Sequence, residues 1–153
     1  MIKLDVKEDQ QLVLKNVLMK THQDIAVDKT FDKFRAFVNQ TDRSHIQKFG
    51  PLVAINGGTT IRDDGTLLTD FSMLVQAHDY KHYQEQFIIK DRLEFPQCVS
   101  LKFKGPAELL HYAHAKLDLY FHDNDLQTTG EVITVFIHDM RDYIEADIFK
   151  PVV

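Results

Sequence analysis

The chain has 153 residues, 44% hydrophobic and 27% charged, enough for one ordinary folded domain with a continuous core. Eighteen basic against 23 acidic residues leave a formal charge of −5, and no basic stripe offers the phosphate neutralisation that drives nucleic-acid affinity. No apolar run reaches the roughly 20 residues of a membrane span. The start, Met1 to Asp5, lacks the apolar stretch of a signal peptide, and the lone Cys98 excludes an internal disulfide and suits a reducing cytoplasm.

In chain order, Gln11 to Met19 mixes apolar and polar residues over strand length without Gly or Pro. Ile25 to Gln40 reads as a helix, capped by Asp28 or Thr30, with Phe31, Phe34, Phe37 and Val38 forming a core-facing stripe. Gly50 to Ile55 is a strand ending at the turn signal Asn56-Gly57-Gly58. A second turn signal, Asp63-Asp64-Gly65, precedes a strand over Leu67 to Val75. His78 to Gln86 has no apolar period and reads as a connector.

The order of elements then repeats. Cys98 to Phe103 is a strand, broken at Gly105-Pro106. Ala107 to His122 is a helix with Leu110, Ala113, Leu117, Tyr120 and Phe121 on one face. Gly130 opens a strand over Val132 to Ile137, and Tyr143 to Val152 is the last strand. The halves align with small offsets, Asp70 falling on Asp147 at 77 (147 − 70). The expected fold is therefore α+β: duplicated βαββ repeats, about 11–76 and 97–153, with pseudo-twofold symmetry, antiparallel sheets and two main helices. Each half has an apolar sheet face to cover, and a central cleft between them is the expected ligand site.

Strand alternation places Glu145, Asp147 and Phe149 on one face of the last strand. Half-alignment adds Asp70, Ser72 as the mate of Phe149, and Asn56 as the mate of Phe136. His111 with His114, and His78 with His82, are spaced for metal ligation but lack a third ligand, so no metal or other cofactor is expected. Cys98, beside Val99 and Leu101, reads as a small buried apolar residue. No phosphate loop or Ser–His–Asp arrangement is present.

Lys104-Gly105-Pro106-Ala107-Glu108, then Ala113-His114, Leu117 and Tyr120, then Gly130 and Glu145 to Val152, follow the order of motifs in one known family. On these residues the chain resembles the GyrI-like domain, in its first half more loosely through Gly50-Pro51 and Leu68 to Val75. That family comprises effector-binding domains of bacterial transcription activators, among them multidrug-responsive ones, and stand-alone gyrase inhibitors. The resemblance implies a cavity whose acidic residue on the last strand faces cationic, often aromatic, ligands. That residue is Asp147 here, where the family usually has Glu; Asp is shorter by one C–C bond, about 1.5 Å. Ala107, His114, Phe136 and Tyr120 replace aromatic residues of the motifs, which puts the usual ligand preference in question.

A bound cation would pair with Asp147 or Glu145, while Phe149 and Phe136 offer aromatic faces. The plainer alternative is that Asp147 pairs with a Lys or Arg at the sheet edge. The leading expectation is a cytoplasmic, stand-alone small-molecule-binding protein without chemistry of its own. The two halves leave no room for a DNA-binding domain, so it would sequester ligands or signal through an unidentified protein partner. Two alternatives stand beside it. One is a hydrolase using Asp147 or Glu145 with Tyr143 as an acid–base pair; the other is a protein-binding inhibitor of a topoisomerase.

Overall fold

The computed structural model describes residues 4–140 and 142–153; Met1 to Lys3, part of the charged start, lie outside the described residues. Strand β1 (Val6–Ala26) passes through a 3-10 turn into helix α1 (Thr30–Arg43), followed by β2 (Lys48–Ile61) and β3 (Leu67–Ala77). Strand β4 (Ile88–Pro106) passes through another 3-10 turn into α2 (Leu110–Asp123), followed by β5 (Val132–Met140) and β6 (Tyr143–Pro151). The fold is α+β, with antiparallel strand pairs and the order βαββ occurring twice among the described residues.

Leu14–Leu93 forms one compact unit and the rest of the described chain another, the boundaries falling inside β1 and β4. In the first unit β3 pairs with both β1 and β2. Its Phe71, Met73, Val75 and Ala77 share a core with Leu18 and with Phe37 of α1. In the second unit β6 pairs with both β4 and β5. There Ala113, Leu117 and Phe121, spaced by four on α2, pack on Val99, Leu101, Phe103, Ile144 and Ile148. Burying each large side chain of this kind is worth roughly 1.5–3 kcal/mol, so these helix–sheet contacts dominate each unit's stability.

Both helices end alike. The Ile46 amide donates to Thr41 O and the His45 amide to Asp42 O; Leu126 to Phe121 O and Asp125 to His122 O repeat the pattern. His45 and Asp125 adopt φ of 52° and 53°, the left-handed residue of a Schellman motif that usually favours Gly. Ile46 and Leu126, one residue further, return to the cores.

The structure corrects several local expectations. β1 continues to Ala26, and α1 starts at Thr30 without a side-chain cap. The Thr30 hydroxyl instead donates to Val27 O, and Asp28 lies in the 3-10 turn. Phe37 is buried and Phe34 stacks on Phe71, but Phe31 is 64% exposed beneath the Arg35 guanidinium. Each three-residue step falls about 60° short of a full turn, and two such steps swing Phe31 off the core face. Asn56 to Gly58 is a bulge inside β2 rather than its end; the turn is at Arg62 to Thr66.

Pairing also revises how the halves correspond. Val53 opposite Leu74 answers Ile133 opposite Phe149, an offset of 75 (149 − 74) for the last strand. Ser72, not Asp70, therefore stands where Asp147 does, and Asp70 answers Glu145. The bulge at Asn56/Gly58 recurs at Phe136/His138, which supports this correspondence.

Candidate functional site

Directly paired residues of an antiparallel sheet share a face, so the registers of β4, β5 and β6 define what surrounds Asp147. Asp147 stands between Lys102 on β4 and Val135 on β5. Glu145 stands between Lys104 and His138, and Phe149 between Ser100 and Ile133. Tyr143, opposite Pro106, continues the same alternation to the end of β6. The intervening Ile144, Ala146 and Ile148 are buried, two of them in the core with α2. The Tyr143–Glu145–Asp147–Phe149 column thus occupies the sheet face turned away from α2.

Asp147, Glu145 and Phe149 are half-buried, while Tyr143 is 38% exposed. Their neighbours on this face grade from apolar to charged: Cys98 and Ile133 are fully buried, Ser100 and Val135 nearly so, Lys102 and Lys104 exposed. Among the described residues neither the Asp147 nor the Glu145 side chain makes an ion pair or hydrogen bond, although Lys102 and Lys104 stand across from them. Opposite charges at paired positions contribute only roughly 0.2–1 kcal/mol, so a lysine at the wetter edge stays hydrated at little loss. The carboxylates keep their lone pairs for another partner.

The remaining expected residues do not join this column. Phe136 stands across from Ala146, on the α2 side of the sheet, so it cannot supply the second aromatic face. In the other unit, Asn56 is across from Phe71 on the α1 side and exposed. Asp70 has a structural task, its Oδ1 accepting the Asp24 amide at 2.8 Å where β1 bulges and Asp24 adopts φ 54°. The Ser72 hydroxyl is hydrogen-bonded to that of Thr21 at 2.9 Å. Sequence reasoning overlooked Lys102, Lys104 and His138, because only register reveals which side chains stand opposite a given carboxylate.

Other reactive groups are accounted for structurally. Cys98 is fully buried, its thiol donates to Phe95 O at 3.7 Å, and burial pushes its pKa up to about 11. His114 on α2 is held below the ordinary imidazole range, chiefly by burial. Among the described residues no three His, Cys, Asp or Glu side chains gather to hold a metal ion. Among the described residues no helix is long and apolar enough to cross a membrane.

No protein-family model matches the sequence, and no curated protein matches it. Solved structures match the fold. This chain is similar to the C-terminal domain of EcmrR, with a TM-score of 0.69 over 100% of this chain and 98% of that one, at 14% identity. In the EcmrR–DNA complex the TM-score is 0.67, and the match covers 99% of this chain but only 57% of the EcmrR chain. SAV2435 bound to tetraphenylphosphonium matches at a TM-score of 0.51 and 10% identity, covering 99% of this chain and 94% of that one. A hydrolase from Listeria innocua matches at 0.51 and 13% identity, covering 99% and 92%. At such identities the likeness is one of fold, and it is consistent with the GyrI-like resemblance of the sequence.

Proposed function

We propose that this protein is an effector-binding module of the cytoplasm that takes a lipophilic, aromatic cation against the Glu145–Asp147–Phe149 face of β6. The observation that carries the reading is a pair of half-buried carboxylates, two residues apart on one face, with no ion-pair partner among the described residues. Spaced by roughly 6.6 Å along the strand, they spread negative charge over the width of an aromatic cation, and Phe149 beside Asp147 gives it a ring face. Fold likeness to SAV2435, which was solved with tetraphenylphosphonium, supports a cation of that kind. EcmrR carries a like domain in a DNA-bound protein.

The test is calorimetric titration with tetraphenylphosphonium. A carboxylate about 4–5 Å from a cation contributes about 1 kcal/mol in water and about 4 kcal/mol at an effective dielectric of 20. For half-buried Asp147 about 1–2 kcal/mol is expected, so Asp147→Asn should weaken binding roughly 5–30-fold. Lys102→Met, which removes the cation paired across from Asp147 on β4, should tighten it. Unchanged affinity in Asp147→Asn and Glu145→Gln alike would overturn the proposal. Turnover of an ester that is lost with Tyr143→Phe would favour the hydrolase reading instead.

A further inference from the structure

Four exposed large apolar side chains gather at one end of the Leu14–Leu93 unit. Ile61 and Leu67 are directly paired where the β2–β3 hairpin closes, so they share a sheet face. Leu67 alternates with Thr69 and Phe71 on β3, and Phe71 belongs to the α1 core, so this is the face that α1 covers further along. Here it is bare: Ile61 is 70% and Leu67 44% exposed. On the other side of β3, Ala26 pairs with Leu68, which sets Val27, in the 3-10 turn before α1, beside Leu67. Phe31 follows Val27 by about one helical turn, and both are exposed. The result is an apolar row Val27–Leu67–Ile61 across three strand ends, extended along the helix by Phe31.

The fold itself does not ask for these residues. By the correspondence of the repeats, Val27 falls on Ala107 (107 − 27), Phe31 on His111 (111 − 31) and Leu67 on Asp142 (142 − 67). The second repeat thus builds the same βαββ order with small or polar residues there. The rim of the row is charged and of both signs. Arg62, Asp63 and Asp64 follow Ile61 in the turn, and the Arg35 guanidinium lies 4.7 Å from the centroid of the Phe31 ring. Among the described residues neither Arg35 nor Asp63 enters an ion pair. A contiguous apolar patch with an aromatic ring and an Arg at its edge has the make-up of a protein interface. Its two ends complement each other, the turn offering carboxylates and the helix side a guanidinium. The same patch on a second copy therefore fits it, provided the turn of each copy meets α1 of the other; turn on turn would crowd the carboxylates of both. We propose that this end of the Leu14–Leu93 unit is the face of an isologous homodimer, with Val27, Phe31, Ile61 and Leu67 at its apolar centre and Asp63 of each copy paired with Arg35 of the other.

The test is sedimentation equilibrium of the full chain, with circular dichroism to show that each variant is folded. The patch is small for a protein interface, so the concentration series runs up to about 0.5 mM. Expected is a monomer–dimer equilibrium within that range. Phe31→Ser, and Ile61→Thr, which keeps a β-branched residue in the strand, should each raise the dimer dissociation constant at least about tenfold, because a twofold interface loses every contact twice. Leu119→Ser, which removes a comparably exposed apolar side chain from α2, should leave it unchanged. Asp63→Arg and Arg35→Glu should each weaken self-association, and an equimolar mixture of the two should dimerise again, since the mixed pair sets opposite charges across both contacts. A parent chain that stays monomeric throughout, a dimer indifferent to Phe31→Ser and Ile61→Thr, equal weakening by Leu119→Ser, or a mixture no tighter than its components would overturn the proposal. None of these outcomes bears on Asp147, which belongs to the other unit.

Discussion

Lys150 joins β6 to α2, and it offers a quantitative test of the packing behind the acidic column. Its side chain is only 11% exposed, its ammonium is paired with Asp118, and it lies 4.9 Å from the centroid of the Phe121 ring. Asp118 is 67% exposed. Breaking a fully buried pair by removing one partner costs about 3–5 kcal/mol, and a surface pair contributes about 0–1 kcal/mol. With one partner sunk and the other wet, Asp118→Asn should cost about 1.5 kcal/mol, because it strands a poorly hydrated ammonium. Lys150→Met removes that ammonium and keeps an apolar stem against Phe121, so its cost should stay within about 0.5 kcal/mol. The double variant should match Lys150→Met, since Asp118 then has nothing left to neutralise. Urea unfolding followed by circular dichroism measures all three, and thermal midpoints should separate Asp118→Asn from the parent by roughly 3–6 °C. If Lys150→Met proves the more destabilising single change, the pair is a net source of stability and the reasoning fails.

Three further outcomes follow from the same structure. His114 has a folded pKa below its ordinary 6.5 through burial and Lys150, with Asp118 opposing; the unfolded chain therefore takes the proton first. Stability should be full above pH 6.5 and fall as pH drops towards the folded value, with a shallower fall in His114→Gln, read from urea midpoints between pH 8 and 5. Cys98, with its pKa near 11, is about one part in a thousand thiolate at pH 8; a disulfide dye should react promptly only in denaturant, and stoichiometric labelling of the native chain within minutes would contradict its burial. His45→Gly should relieve the left-handed residue after α1 and stabilise by about 0.5–1 kcal/mol net of glycine's chain entropy; a lowered melting point would refute that account.

Much of this architecture was legible from periodicity. Ala113, Leu117 and Phe121 recur at the helical step, and they are the buried stripe of α2. Tyr143, Glu145, Asp147 and Phe149 alternate with Ile144, Ala146 and Ile148, a spacing that by itself divides charged from apolar faces. Spacing along one element settles which of its residues lie together, because backbone geometry imposes the 3.6 and 2.0 periods locally.

Relations between elements were decided only in three dimensions. That Lys102 stands opposite Asp147, that Phe136 faces α2, and that Ser72 rather than Asp70 answers Asp147 all depend on strand register and on the bulges at Asn56/Gly58 and Phe136/His138. A one-residue slip moves every side chain to the other face, and no cue within a single strand selects the register. Local chemistry therefore dictated the elements and their faces, while the tertiary pairing chose which charges meet.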